Sequence, residues 1–291
     1  MHRKPLVLII ASGILCAFAA ASASSPQGSP LPPSNPKGLE QIRFTSSGIL
    51  SPRSEIMPGL AFPPQFSQEI KTLFFDLRDA VYNSAPPEKI EQMASRLMGE
   101  LKQVSGNPAG VALLEARIGY LAGRAWKEHE GKKQAISWFE RGMDAGTILA
   151  SLEGETPAAI LAYTEPLAEL CLLKDLGFLM TNGPKIGKNA DRILSMEPHN
   201  IKGLILKASA LAYPPPIWGG NYGKALELYA RIIELGSSGL PREILFDIRA
   251  GIATAYANLK MKTHGGWWFR SALELYPNNA YAREQMEKLA E

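Results

Sequence analysis

A chain of 291 residues with 46% hydrophobic content is long enough for one or two domains with a substantial core. Its formal charge is only +3, and setting aside Arg3 and Lys4 leaves 29 basic against 28 acidic side chains, a balance that excludes an electrostatic footprint for nucleic acid. The cysteines are Cys16 and Cys171, too few for a disulfide framework, so stability has to come from packing.

The first 23 residues divide into the basic His2-Arg3-Lys4, an apolar run from Leu6 to about Ala20, and Ala21-Ser22-Ala23 before Ser24. This is the layout of a secretory signal peptide cleaved after Ala23, which predicts a periplasmic or secreted protein. The run is shorter than the roughly 20 residues that cross a bilayer, and no later segment replaces it, so the mature chain is expected to lack a transmembrane segment. Cys16 offers a competing site for lipidation, but Leu15 stands where a lipoprotein signal carries a small residue, which favours cleavage over a lipid anchor.

Residues 24–63 are rich in Ser, Pro and Gly and have no apolar period, so they are expected to form a largely disordered linker. From Gln65 onward helical periods alternate with Pro, Gly and Asn, and no period-two alternation appears. Helices are predicted over 65–83, 87–104, 109–129, 131–144, 157–181, 184–196, 200–213, 221–235, 242–260, 265–276 and 280–290. The fold is all-α: five helical hairpins and a terminal helix over 64–291. Cys171 lies within Leu170-Cys171-Leu172-Leu173 and reads as a buried small hydrophobe.

A hairpin stacked on its neighbours needs small residues where its helices cross and large ones beside the crossing. The last hairpin has Ile252, Ala253 and Tyr256 on one helix, Gly265, Phe269 and Ala272 on the other, and Pro277 as its stop. An earlier copy has Ala122-Gly123 and Trp126, then Ala135, Phe139 and Gly142. Both resemble a tetratricopeptide repeat, with fainter copies at Ala190, Ile193 and Pro198 and at Ala225, Tyr229 and Ile232. The resemblance implies a right-handed superhelical stack with a concave face lined by the first helix of each pair. The hairpin over 65–104 is assigned by analogy alone.

The least generic segment is Tyr213-Pro214-Pro215-Pro216-Ile217-Trp218-Gly219-Gly220-Asn221, where the prolines forbid helix, the glycines permit a reversal, and Asn221 can cap the next helix. Leading into Lys224-Ala225-Leu226, it is similar to exported bacterial repeat proteins associated with tripartite (TRAP-type) transporters. Asn182-Gly183-Pro184-Lys185-Ile186-Gly187-Lys188 fits the same resemblance. Those proteins are commonly lipid-anchored, and Leu15 before Cys16 departs from that.

Side chains of catalytic type do not assemble into a motif. His129, His199 and His264 fall at turns or helix ends without metal-ligand spacing, and neither a nucleophile elbow nor a dinucleotide fingerprint occurs. Gly183 to Asn189 resembles a phosphate loop, but Asn189 stands in place of Ser or Thr and no strand precedes it, so it is expected to be a hairpin turn. A non-catalytic protein without metal or cofactor is therefore expected. The repeat resemblance implies that the concave face presents Arg117, Tyr120, Arg124 and Lys127, then Lys202, Ile205 and Ser209, then Asp247, Thr254 and Asn258. Arginines beside a tyrosine suit a carboxylate-bearing partner; alternatively they are solvated helix faces paired with Glu115 and Glu128. Tyr213 and Trp218 on the protruding turn complete the candidate set. Of Trp267 and Trp268, about 100° apart on one helix, one should enter the core and the other an edge.

The leading expectation is a scaffold that binds another exported protein, in the narrower resemblance the solute-binding component of a TRAP-type transporter. The alternatives are a binder of a small organic-acid or apolar ligand in the groove, closed by the Tyr213–Asn221 turn, and a purely structural envelope protein. The oligomeric state is left open.

Overall fold

In the computed structural model the residues described are 34–35, 37–45, 47–50, 55–57 and 60–290. By its contacts the chain divides into Met1–Leu31 and Pro32–Glu291. The signal-peptide residues, with Cys16 and the cleavage site, lie outside the described residues, as does part of the linker.

In chain order the described elements begin with strands β1 (Ile49–Leu50), β2 (Glu55–Met57) and β3 (Leu60–Ala61). Helices α1 (Gln68–Tyr82), α2 (Pro87–Leu101), α3 (Pro108–Glu128), α4 (Lys132–Glu153), α5 (Pro157–Leu173) and α6 (Leu176–Met196) follow. Then come α7 (Ile201–Ala212), a 3-10 turn (Pro216–Trp218), α8 (Tyr222–Leu235), β4 (Leu240–Pro241), α9 (Arg242–Asn258), α10 (Lys262–Leu275) and α11 (Ala280–Ala290).

Local chemistry starts most of these helices. Ser67, Asn107, Thr156, Asp175, Asn200 and Asn221 each accept a hydrogen bond from the backbone N–H three residues on, which satisfies a donor the helix itself leaves open. Pro108 and Pro157 occupy first-turn positions, where a missing N–H costs nothing.

Three hairpins share one turn. The N–H of Gly131 reaches the carbonyl of Trp126, that of Met261 reaches Tyr256, and that of Ala85 reaches Ala80. In each the residue just before the donor, Glu130, Lys260 or Ser84, has positive φ. This bond closes a helix C-terminus in the left-handed manner. The two best repeat copies thus adopt the same backbone, and so does the first hairpin, whose side chains carry no repeat signature.

Helices pack chiefly on their chain neighbours, and the odd-numbered ones also touch in succession: α1 on α3, α3 on α5, α5 on α7, α7 on α9. The circuit then closes. The Tyr82 hydroxyl of α1 donates to Asp247 of α9 at 2.9 Å, its ring meets Phe246 edge-on, and Arg78 pairs with Glu243. Asn279, before α11, donates to the Tyr82 carbonyl at 2.9 Å. The first and last hairpin regions are therefore joined by their own side chains.

The described part of the Ser/Pro/Gly-rich segment straps this seam. Asn35 accepts from the Tyr256 hydroxyl, Phe44 stacks edge-on against Trp268, and β1 pairs in parallel with β4 through Ile49↔Leu240. β2 and β3 pair antiparallel, burying Ile56 and Met57, and Phe62 packs against Phe66, Phe74 and Phe75 of the first hairpin region. These apolar residues are too irregularly spaced to make a face of their own; they fill a surface that the helices supply.

Helix boundaries also need correction: the helix expected over 131–144 runs on to Glu153 as α4. The helix expected over 157–181 stops at Leu173, where Lys174 turns extended and Asp175 caps α6. α6 then runs through Pro184, so Gly183 to Asn189 is helix interior rather than a turn. Pro184 is exposed there, and its ring removes one bond of the helix ladder.

Close approach sets the spacing of α3, α4 and α5. A Cβ on Gly119 would lie 2.7 Å from the Gly142 backbone, one on Gly146 would lie 2.6 Å from Tyr163 N, and one on Gly123 would lie 2.6 Å from the Phe139 ring. Of the tryptophan pair, Trp268 is buried and Trp267 half-buried, and Cys171 is buried as expected.

Gly123→Val is expected to lower stability by about 1–3 kcal/mol through overpacking. Gly99→Ala, on an exposed face of α2 with nothing within 4 Å of the new Cβ, is expected to raise it by about 0.4–1 kcal/mol. Urea midpoints at constant m-value report both.

Candidate functional site

Where the odd-numbered helices face one another, the interior is ionic. Arg117 of α3 and Lys202 of α7 both pair with Glu165 of α5, Lys202 at 2.6 Å. Arg78 pairs with Glu243 across the seam. The five side chains are 5–8% exposed, so each charge depends on its partners rather than on water.

A second layer lies toward the C-terminal end of α3. The Arg124 guanidinium sits 4.7 Å from the Tyr82 ring centroid and 5.8 Å from that of Tyr120, while Arg117 lies 5.0 Å from Tyr120. Arg124 also approaches Asp247 at 3.8 Å and Glu128 at 4.0 Å. Ser84 donates to Glu128 at 2.8 Å, and Lys127 pairs with Glu169.

The electrostatics follow from burial and pairing. Burial alone would raise the Glu165 carboxyl, but Arg117 and Lys202 more than offset it, so its pKa falls below the ordinary value. Burial raises Glu243 despite Arg78, and raises Glu128 despite Arg124. Burial, then the Asp247 charge, pushes Tyr82 well up, which keeps its hydroxyl protonated and able to donate to Asp247.

Of the candidate residues, Arg117 and Lys202 are buried and pair with Glu165, whereas Arg124, half-buried, approaches Asp247 and the Tyr120 ring. Ile205 is buried. Ser209 meets the Tyr229 hydroxyl at 3.3 Å, Asn258 donates to the Ala212 carbonyl at 2.8 Å, and Thr254 meets Tyr281 at 3.1 Å, so these three tie α7, α8, α9 and α11 together. Tyr213 shares a hydrogen bond with Tyr281 while its ring is half-exposed.

Trp218 is apart from all of them. It is 64% exposed and Ile217 86% exposed, at the tip of the 3-10 turn. The tip is held firmly: Gly219 takes φ 94°, Gly220 donates to the Pro215 carbonyl at 3.1 Å, Asn221 donates to Leu211 at 2.9 Å, and the Asn221 side chain caps α8. A side chain at Gly220 would lie 1.9 Å from the Pro214 carbonyl.

The sequence reading missed Arg78, Tyr82, Glu165 and Glu243. For Glu165 a signal existed: with Glu169 one turn on, it is an isolated acid in the otherwise apolar stretch Ile160 to Leu173. Tyr82 and Arg78 had none, because their roles depend on a contact between chain ends.

Arg78, Tyr82, Arg117, Lys202 and Glu243 line a chamber of about 10 Å³, overlain by Ile56 and Met57. That is close to the least space that holds one water and far below the roughly 300 Å³ of a small-ligand pocket. Among the described residues no group of three His, Cys, Asp or Glu side chains could hold a metal, and no helix is long and apolar enough to cross a membrane. No protein family matches the chain, and no curated protein does either.

Glu165→Gln leaves Arg117 and Lys202 without their shared counter-charge and is expected to cost about 3–5 kcal/mol at neutral pH. Because folding lowers the Glu165 pKa, the wild-type advantage is complete above its unfolded value of about 4.3 and shrinks as pH falls through the lower folded one. Glu243 and Glu128 shift oppositely but are present in both proteins. Paired urea titrations from neutral to acid pH measure the difference.

Proposed function

We propose that the chain is an exported, non-catalytic scaffold of tetratricopeptide-like hairpins in a right-handed superhelical sense, acting in the cell envelope by binding another exported protein. The observation that carries this reading is the contrast between the two halves of the candidate set. The inner arginines and lysines are consumed by internal pairing, whereas Ile217 and Trp218 are offered to solvent on a rigid turn.

Tryptophan is over-represented among residues that dominate binding energy, and a turn already fixed in shape loses little entropy on docking. Two hairpins in register with the tetratricopeptide pattern, and their common turn at Glu130 and Lys260, support a repeat scaffold. The similarity of Pro214 to Leu226 to TRAP-associated exported proteins makes the solute-binding component of such a transporter the first partner to test. The signal-peptide layout of residues 1–23 supports export, with cleavage after Ala23 in preference to a lipid on Cys16.

The test compares the immobilised mature chain with an Ile217→Ser/Trp218→Ser variant against purified solute-binding components and the exported proteins of the host. Wild type is expected to retain an identifiable exported protein, with at least a tenfold loss in the variant and an unchanged thermal midpoint. Equal retention by both, or retention of none by either, would overturn the reading.

A further inference from the structure

The first half of α6 leaves an apolar face without a partner. The buried residues of this helix are Ala190 and Ile193, both in its C-terminal half, and none from Leu176 to Asn189 is buried. Phe178 and Ile186 pack inward on small clusters of the core. On the opposite side Leu176, Met180, Pro184 and Lys188 recur every four residues as one stripe, all exposed. Leu176 and Met180 are 64% and 69% exposed, and Leu172, just before the α5–α6 turn, is 67% exposed. Single apolar residues on a surface are ordinary, whereas a group at helical spacing marks a contact.

The charge beside this stripe has one sign. Lys188 continues it and Lys185 flanks it, and no Asp or Glu occurs from Leu176 to Asn189. The acids at either end are engaged elsewhere: Asp175 accepts from the Phe178 N–H at 3.0 Å, and Asp191 pairs with Lys207 at 2.7 Å. Lys185 donates to the neutral Asn182 at 2.9 Å, which leaves its charge uncompensated. The other exposed apolar pair on a helix, Ile148 and Leu152 of α4, is followed by Glu153 and Glu155 and lacks this character.

Apolar side chains flanked by lysines on an open helix surface match a layer that is anionic outside and apolar beneath. We propose that the α6 face from Leu176 to Lys188, with Leu172, docks on an anionic phospholipid bilayer. Leu172, Leu176 and Met180 enter the boundary between headgroups and acyl chains, and Lys185 and Lys188 meet lipid phosphates. A bilayer takes up a shallow stripe without shape complementarity, and a lysine stem can bury while its ammonium stays among the headgroups. A second copy of the chain on the same face would add two more lysines and no acid. Three apolar residues and two lysines make a weak, reversible attachment that needs no lipid on Cys16. The inference does not depend on the protein partner proposed above, because Ile217 and Trp218 take no part in it.

The test is co-sedimentation of the mature chain, prepared without residues 1–23 and without lipid, with vesicles of phosphatidylcholine alone or of phosphatidylcholine and phosphatidylglycerol in equal parts. Retention on the anionic vesicles is expected to exceed that on phosphatidylcholine by roughly tenfold and to fall as salt is raised. Leu176→Ser/Met180→Ser should weaken retention by roughly tenfold, and Lys185→Gln/Lys188→Gln should bring the anionic vesicles down to the level of phosphatidylcholine. Ile217→Ser/Trp218→Ser should be retained as wild type is, which separates this proposal from the docking turn. No retention of wild type, equal retention on both lipids, or retention that falls with Ile217 and Trp218 overturns the proposal without any α6 variant. So does undiminished retention of either α6 variant at an unchanged thermal midpoint, or a wild-type dimer that Leu176→Ser/Met180→Ser dissociates.

Discussion

Glu165 has a single arrangement in which its charge is tolerable. It stands in the apolar part of α5, buried, and needs cations from both sides; Arg117 comes from α3 and Lys202 from α7. Three helices are thereby fixed at one level. That level is reachable only because α4 carries Gly142 and Gly146 where α3 and α5 press against it, with Pro166 of α5 3.3 Å from the position of a Gly142 Cβ. Buried ion pairs are seldom worth more than well-packed apolar residues, but a slipped register would strand charges out of water. Here the pairing acts chiefly as a device that specifies the stacking order.

The same logic closes the circuit. Stacked hairpins ordinarily contact nearest neighbours only, so that stability is approximately a sum along the stack and the ends fray independently. In this chain Arg78 and Tyr82 of the first hairpin meet Glu243, Phe246 and Asp247 of the last, and Asn279 reaches back to the Tyr82 carbonyl. Asn35, Phe44 and β1 attach the strap to the C-terminal hairpins, while Phe62 attaches it to the first. Opening either end exposes charges that have no other partner. The unit consequently loses the independence of its ends, and its unfolding should be more cooperative than the repeat pattern alone implies.

Local signals in the sequence were readable to the extent that they are physically local. Apolar period, caps and prolines put a helix near each of the eleven described ones but misplace the end of α4 and the junction of α5 with α6, and the crossing residues Gly123, Phe139, Gly265 and Phe269 fall in two closely packed helix pairs. Gly183-Pro184 misled because a proline is ordinarily a helix breaker, whereas here it lies exposed inside α6, where it crowds no packed neighbour. The strap was illegible for the opposite reason. Ile56 and Met57 bury themselves beside Arg117, Lys202 and Glu243, residues far along the chain, and no periodicity announces that. The candidate set from Arg117 to Asp247 rests on the repeat resemblance alone, whereas the pairing of Arg117 and Lys202 with Glu165 and of Arg124 with Asp247 depends on contacts between helices distant in the chain.

The cations Arg117, Lys202, Arg124 and Lys127 are already matched by Glu165, Glu128, Asp247 and Glu169, so an acidic ligand would have to displace those pairs at a desolvation cost. The outer turn has the reverse character. Ile217 and Trp218 gain by leaving water, and the backbone that carries them is fixed by Gly220, Asn221 and the α8 cap before any partner arrives. Three consecutive prolines and two glycines are a poor choice for merely connecting α7 to α8, where a short polar turn would serve. Their effect is to hold Ile217 and Trp218 outward at one place, whereas Arg78, Arg117 and Lys202 are buried in ion pairs.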